Sequence, residues 1–192
     1  MPFGVGAQEP EHIQRYDVAI GIRKDGSIAV TERIDYFFSS PRHGIYRNIP
    51  VVKTNADGKR FRMTLTDISV ADEQGDAYTF TESKDGDTEV LKVGDADKTI
   101  SGRHRYVLTY TVLGALTYFP GHDELYWNSV GTAWPVSIAE SKTTVTLPES
   151  VARSDLNAAC FVGAEGSTTG KDCTVSFTDT SVTALVSREL GE

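Results

Sequence analysis

Hydrophobic and polar residues alternate along most of the chain, and turn-forming residues recur about every ten positions. The first two alternating runs each place their apolar residues on one face: Tyr16, Val18, Ile20 and Ile22 in the first, and Ile28, Val30, Ile34 and Tyr36 in the second, together with Glu32. A three-residue loop at 24–26, with Gly26 left-handed, sets Ile22 opposite Ile28 and Ile20 opposite Val30. The pattern therefore predicts a β-hairpin in this register.

The period-two pattern continues to the end of the chain, and helical patterns are weak throughout. Further strands are predicted at "RMTLTDISV", "AYTFTES", "TEVLKVG", "RHRYVLTYTVL", "KTTVTLP", "AACFVG", "CTVSFTD" and "VTALVS". The sequence thus predicts an all-β fold, an antiparallel two-layer β-sandwich of immunoglobulin-like or jelly-roll-like type with little helix. We expect one domain over residues 13–192, preceded by a flexible segment at 1–12.

Charge and hydropathy narrow the classes of partner. Lys and Arg number 19 against 27 Asp and Glu, a net charge of −8, so the long-range field repels phosphate backbones and nucleic acid is not expected as a partner. No apolar run approaches the roughly 18 residues needed to cross a bilayer. The first twelve residues also lack the basic and apolar regions of a secretory signal.

The two cysteines, Cys160 and Cys173, bracket a polar loop. Their spacing fits neither a redox C-x-x-C motif nor a zinc ribbon, and no further ligands flank them. We expect a disulfide that joins neighbouring strands across the loop, which indicates an oxidising compartment.

Glu32 is unusual because it shares a face with Val30 and Ile34. A buried carboxylate without a partner is too costly to persist, so Glu32 needs a buried cation or must lie solvated at a sheet edge. Arg47, in "HGIYRNIP", is the expected partner because a guanidinium can give a carboxylate two hydrogen bonds.

The segment "HDELYWNSVGTAWPVSI" at 122–138 carries the densest candidate chemistry. Asp123 and Glu124, with His122, admit a glycan hydrolase, although adjacent strand residues point to opposite faces and converge only in a turn. The four histidines are scattered, so no metal site and no cofactor are predicted.

The same segment holds both tryptophans. Trp127 is expected in the core between the sheets, as tryptophans of β-sandwiches often are. Trp134 precedes Pro135, which favours extended geometry at a strand edge or loop, and with Tyr126 it offers apolar area for a ligand.

Several of these stretches together resemble a known family. "DGSIAVTE" at 25–32, "HGIYRNIP" at 43–50, "ISGRHRYVLTY" at 100–110, "DELYWNSVGTAWPVSI" at 123–138 and "VTLP" at 145–148 are similar to the N-terminal region of the DUF2207 family of bacterial membrane proteins. The resemblance implies a β domain on the extracytoplasmic side of the cell membrane, anchored by transmembrane helices outside this sequence. It supplies no catalytic residues.

Two classes of function remain. The first is a non-catalytic ectodomain that binds an envelope protein or a cell-wall glycan. Its predicted surface combines residues of two segments: His43, Tyr46, Arg47, Asp123, Glu124, Tyr126 and Trp134. The second is an envelope hydrolase centred on Glu124, Asp123 and His122, and a spacer domain without a ligand is a third possibility.

Overall fold

The computed structural model describes residues 9–54, 58–163, 167–187 and 189–191, and it confirms the all-β fold class. The helical part of the described chain is one 3₁₀ turn, Arg153–Asp155. The first seven strands are β1 (His12–Ile22), β2 (Ile28–Arg42), β3 (Gly44–Pro50), β4 (Val52–Thr54), β5 (Arg60–Arg62), β6 (Thr64–Ala71) and β7 (Phe80–Asp85). The others are β8 (Thr88–Gly94), β9 (Ile100–Leu113), β10 (Leu116–Phe119), β11 (His122–Leu125), β12 (Ser141–Thr146), β13 (Thr174–Phe177) and β14 (Ser181–Val186).

The first hairpin has the predicted register. Ile20 lies opposite Val30 and Ile22 opposite Ile28, and the loop closes with Gly26 at φ 82°. The Asp25 carboxylate accepts bonds from the backbone and side chain of Ser27, which fixes the turn. The alternation of apolar residues therefore sets both strand pairing and loop length.

Seven strands form the larger sheet, in the order β13-β14-β12-β1-β2-β9-β6. All neighbours are antiparallel except β1 and β12, which pair in parallel with Tyr16 opposite Ser141. The alternation predicts only antiparallel pairing, and the parallel pair has a local cause. The chain before β12 already runs alongside β1, since Ile13 donates to the Ser137 carbonyl and accepts from Ala139.

A three-stranded sheet, ordered β3-β8-β7, packs over the inner face of the larger sheet. Its inward residues alternate along β3 as Ile45, Arg47 and Ile49, and along β8 as Leu91 and Val93. The core lies between these two layers, so Arg47 enters it from the smaller sheet.

Within the three-stranded sheet, β3 and β8 approach each other closely at one end. Gly44 and Gly94 pair across the strands with φ of 138° and 135°. A Cβ on Gly44 would collide with the Val93 carbonyl, and one on Gly94 with the His43 carbonyl. Only glycine fits both positions, which determines how β3 enters the sheet.

The second half of the chain departs from the prediction at two places. Strands β10 and β11 form a hairpin that the pattern does not predict. Residues 158–163, predicted as a strand, are irregular, and Cys160 in this run is bonded to Cys173, immediately before β13, with Cα atoms 6.2 Å apart. The disulfide is therefore present, but it ties a loop, not a strand, to the edge of the larger sheet. The predicted flexible segment 1–12 falls largely on residues 1–8, which lie outside the described residues, and β1 begins at His12. In the described ranges, none of the helical structure has the length and apolar character of a membrane span.

Candidate functional site

A buried ion pair joins the two layers at the centre of the core. Glu32 in β2 has 0% of its surface exposed and Arg47 in β3 has 1%. Arg47 Nε donates to Glu32 Oε2 and Arg47 Nη2 donates to Glu32 Oε1, both at 2.8 Å. Arg47 is thus the partner that Glu32 needs, in the two-bond geometry that a guanidinium favours.

Two tyrosines complete the coordination of the carboxylate. Tyr16 Oη donates to Glu32 Oε2 at 2.6 Å, and Tyr110 Oη donates to Glu32 Oε1 at 2.5 Å. In the sheet, Tyr16 lies opposite Ile34 and Tyr110 opposite Val30, so each is diagonal to Glu32 and within reach of it. Each carboxylate oxygen therefore accepts two hydrogen bonds, which fills its capacity.

The ionisation of this centre follows from its contacts. Burial opposes a charged Glu32, but the charge of Arg47 and the bonds from Arg47, Tyr110 and Tyr16 outweigh burial and lower the pKa of Glu32. Burial likewise opposes a charged Arg47, and the charge of Glu32 outweighs it and raises the pKa of Arg47. Burial, together with the charge of Glu32, raises the pKa of Tyr16 and Tyr110 well above 10.0. The pair is therefore ionised at neutral pH, with both tyrosines as neutral donors.

Arg47 also holds a segment of the chain that crosses over it. Its Nη1 donates to Asn48 O at 2.7 Å and its Nη2 to Ser129 O at 3.2 Å, while Gly131 lies so close that a Cβ there would collide with Nη1. The prediction that Arg47 belongs to a binding surface is therefore wrong. Its donors are committed to the core and to the chain above it.

The two tryptophans differ from their predicted environments in the extent of their burial. Trp134, predicted on the binding surface, is only 9% exposed, packs edge-on against Tyr16 with ring centroids 5.8 Å apart, and donates from Nε1 to Val130 O at 2.7 Å. Trp127, predicted in the core, is half-buried at its border, and its buried Nε1 meets no partner in the described part of the chain. From Trp134 onward, the buried residues Trp134, Val136 and Ile138 occupy every second position, which brings the later tryptophan into the core.

A surface groove of about 630 Å³ opens beside Trp134. Aromatic and proline side chains line it, from Pro10, Tyr36, Tyr46, Trp134 and Pro135. Glu11 and Arg42 add charge: Tyr36 Oη donates to Glu11 Oε1 at 2.8 Å, and Arg42 Nε donates to Glu11 Oε2 at 3.3 Å. Burial and the bond to Glu11 raise the pKa of Tyr36, so it remains a neutral donor. We call this the aromatic groove.

One wall of the aromatic groove is an unpaired strand edge. Among the described strands, β3 has β8 as its neighbour on one side and none on the other. The Asn48 carbonyl faces that open side, since it accepts from Arg47 Nη1 and lies near Gly131. Alternate residues of an edge strand direct their backbone groups the same way, so Tyr46 and Gly44 present theirs to the groove.

A second groove of about 450 Å³ adjoins the first and shares Arg42, Gly44, Ile45 and Tyr46 with it. His43 and Lys92 are its other polar lining residues. We call it the basic groove. His43 and Tyr46, both predicted as binding residues, therefore lie together at this end of the molecule, and Tyr46 is 57% exposed.

The predicted residues on β11 lie toward the opposite end of the molecule. His122, Asp123 and Glu124 are exposed on β11, and Tyr126 follows with 69% of its surface exposed. Tyr118, on the same hairpin, lies against Gly26 in the β1–β2 turn.

That turn is one end of β2, and His43 follows the other end. The fifteen residues of β2 span on the order of 40 Å. His43 and the β11 residues Asp123 and Glu124 therefore lie toward opposite ends of this long strand. Trp134, from the same segment as Asp123 and Glu124, lines the aromatic groove together with Tyr46.

The two acidic side chains do not converge on one face in the described chain. Asp123 and Glu124 are consecutive on β11, paired with Tyr118 and Thr117, so their side chains point to opposite faces. His122 stacks on Phe119 with centroids 4.9 Å apart. Within 9–54, 58–163, 167–187 and 189–191, no three His, Cys, Asp or Glu side chains are grouped as metal ligands.

Several residues at these sites were not predicted. Tyr16 and Tyr110 lie on the apolar face of predicted strands, and only the pairing of three distant strands shows that they reach Glu32. The position of Tyr36 near the buried pair could have been predicted locally, because it follows Glu32 by four residues on the same face of one strand. Glu11 and Arg42 carried no such signal, since they meet only when β1 and β2 pair.

The fold and the site define an all-β domain with a tightly paired ionic core and an open surface groove. The profile of the family described as "Predicted membrane protein (DUF2207) N-terminal domain" matches residues 12–187. The chain therefore belongs to the DUF2207 family, as the sequence resemblance implies. The family is one of predicted membrane proteins, and it brings no established molecular function.

Solved structures are similar to this chain at low sequence identity. Leukotriene A4 hydrolase from Saccharomyces cerevisiae is 8% identical with a TM-score of 0.50, over 94% of this chain and 27% of the enzyme. An M1 zinc metallopeptidase from Deinococcus radiodurans is 11% identical with a TM-score of 0.43, over 93% of this chain and 39% of that one. The chain thus spans well under half of these proteins, and the likeness to the yeast enzyme shows the fold alone. No curated protein matches the chain.

Proposed function

We propose that this chain is a non-catalytic, extracytoplasmic binding domain of a bacterial membrane protein, and that it binds an extended segment of an envelope protein in the aromatic groove. The observation that carries the proposal is the combination of an open strand edge with an aromatic lining. Gly44 and Tyr46 present backbone groups to a groove lined by Tyr36, Tyr46 and Trp134. Addition of a strand to an exposed sheet edge is a common mode of peptide recognition.

The lining of the groove suits an extended polypeptide. Tyr46 and Trp134 offer rigid apolar area with few rotatable bonds, and Tyr36 offers a neutral hydroxyl fixed by Glu11. Trp134 is itself fixed by its bond to Val130 O, so little ordering entropy is lost when a ligand binds against it. Preorganised aromatic walls of this kind give affinity, while backbone bonds along β3 give direction and register.

The disulfide supports the proposed location. Cys160 and Cys173 are bonded, and structural disulfides persist in oxidising compartments. This agrees with a family of membrane proteins and favours the outer face of the membrane for this domain.

The proposal is tested with the purified domain against two kinds of probe. One is a phage-displayed library of twelve-residue peptides, and the other is a set of purified peptidoglycan fragments. We expect peptides to be retained and Tyr46→Ala to weaken them by about tenfold or more, which is the loss typical of an interface aromatic. Tyr118→Ala is the matched control, because Tyr118 is similarly exposed and lies against Gly26 in the turn at the other end of β2. If the domain retains glycan fragments alone, the proposal that it binds a peptide is wrong. If it retains neither probe, the result favours a spacer domain without a ligand.

Strand addition makes a second, sharper expectation. Alternate residues of an added strand direct their N–H groups to β3, and the others direct them to solvent. N-methylation at successive positions of a retained peptide should therefore weaken binding at every second residue. A peptide that tolerates N-methylation at all positions would show that it does not pair with β3.

A further inference from the structure

We infer that the basic groove selects ligands by a carboxylate side chain, so that the bound segment is acidic at one position beside Tyr46. The inference rests on the proposed binding of an extended polypeptide, and it adds that this polypeptide carries an acidic side chain at one position. Arg42, His43 and Lys92 line this groove, in a chain whose net charge is −8. A local concentration of basic residues on an acidic protein indicates a place where a negative group is favoured.

The acids near this groove pair with cations other than Lys92. Glu11 is held by Tyr36 and Arg42, and Asp95 lies 3.2 Å from Lys98 Nζ and accepts a bond from the Asp97 backbone. The Asp97 bond and Lys98 lower the pKa of Asp95, to which the charge of His43 adds a smaller part. Glu11 thus pairs with Arg42 and Asp95 with Lys98, and neither acid pairs with Lys92.

Lys92 is the cation best placed to act on a ligand. It is exposed on β8, and no described carboxylate pairs with it. Its cross-strand neighbour on β3 is Tyr46, so the two side chains lie on the same outer face.

The sheet geometry predicts where the acidic residue must sit. A strand added to the open edge of β3 would lie about 10 Å from β8, two strand spacings away. Its residue opposite Tyr46 would project to the same outer face as Lys92. A glutamate at that position reaches Lys92 across the Tyr46 ring, because both side chains are long and flexible. The flanking ligand residues project to the opposite face and cannot make this contact.

The test uses positional-scanning libraries of ten-residue peptides in which one position at a time is fixed as Glu or as Gln. Each pool is titrated against the wild-type domain and against Lys92→Gln, with Lys142→Gln as the matched control. Lys142 is an exposed lysine on β12, in the larger sheet. Circular dichroism and thermal unfolding verify that both variants are folded.

We expect one position at which the Glu pool binds about tenfold more tightly than the Gln pool, as a new charge-assisted bond allows. Lys92→Gln should abolish that preference, and Lys142→Gln should keep it. If Glu and Gln pools bind alike at every position, or if the preference survives Lys92→Gln, the inference is wrong while the peptide proposal stands. If neither kind of pool binds, the proposed function itself fails and the inference fails with it.

Discussion

Replacement of Glu32 by glutamine tests the buried pair most directly. The carboxylate accepts Arg47 Nη2 and Tyr110 on Oε1, and Arg47 Nε and Tyr16 on Oε2. A glutamine amide keeps one acceptor oxygen and gains two N–H donors. In either orientation of the amide, its NH₂ group faces one N–H of Arg47, and two donors cannot bond to each other. The tyrosine hydroxyl on that side can rotate and accept a hydrogen bond instead. Glu32→Gln thus leaves Arg47 both unneutralised and partly without an acceptor.

The expected loss is large for a domain of this size. Breaking a buried ion pair by removing one partner costs about 3–5 kcal/mol, against a total stability of about 5–15 kcal/mol for a typical domain. The free energy of unfolding is measured by urea titration at pH 7. Asp35→Asn is the matched control, because Asp35 lies on the opposite face of the same strand and pairs with Arg105, which is largely solvated. That variant should lose less than about 1 kcal/mol.

The pH dependence of the free energy of unfolding tests the same pair independently. Because the pKa of Glu32 is lower in the folded state than in the unfolded chain, the unfolded chain binds more protons in acid. The stabilisation by ionised Glu32 is complete above the pKa of about 4.3 that glutamate has in the unfolded chain. It is lost as the pH falls through the lower pKa of the folded state. Urea titrations at successive pH values should therefore show a shallower acid decline in Glu32→Gln than in the wild type.

A double-mutant cycle separates the pair from its surroundings. Arg47→Met combined with Glu32→Gln should cost less than the sum of the single variants, because no charge then remains unpaired in the core. The reasoning is refuted if Glu32→Gln costs no more than Asp35→Asn, or if the two core variants are additive.

Three further changes test other parts of the fold. Cys160→Ser with Cys173→Ser should lower the free energy of unfolding by about 3 kcal/mol, and a thermal midpoint equal to that of the oxidised wild type would contradict the structural role of the bond. Gly44→Ala should lower the free energy of unfolding in urea more than Gly75→Ala does. Both glycines have positive φ, but a Cβ on Gly75 meets nothing within 4 Å. Equal losses would mean that β3 and β8 are farther apart than described. Tyr16→Phe should cost about 1–3 kcal/mol by removing a donor to a buried carboxylate, and an unchanged urea midpoint would show that this bond contributes nothing.

Local pattern and elementary electrostatics predict part of this molecule. The register of the first hairpin follows from alternation and from Gly26 in the loop, since both are encoded within a few residues. The need of Glu32 for a partner follows from its position on an apolar face. Arg47 could be named because it follows β2 closely and because a guanidinium matches a carboxylate.

The rest depends on pairing between distant segments. The parallel pairing of β1 with β12 joins residues more than 120 positions apart, and no local pattern encodes it. The tyrosines reach Glu32 only through the registers of β1 and β9 on β2. The predicted surface is assembled only in part for the same reason. Trp134 lines a groove with Tyr46, whereas Asp123 and Glu124 lie on a hairpin that meets the β1–β2 turn, and the fifteen residues of β2 separate that turn from His43.

The burial of Arg47 changes how a loss of binding at this residue must be interpreted. Arg47 holds the crossing segment through Ser129 O and the close approach of Gly131, and three residues later that segment places Trp134 in the wall of the aromatic groove. A substitution of Arg47 would release this segment and remove the groove wall, so it would abolish binding without any direct contact to a ligand. Weakened binding in such a variant is accordingly expected from structure alone. Tyr46 is the informative position, because its side chain is exposed and the core does not depend on it.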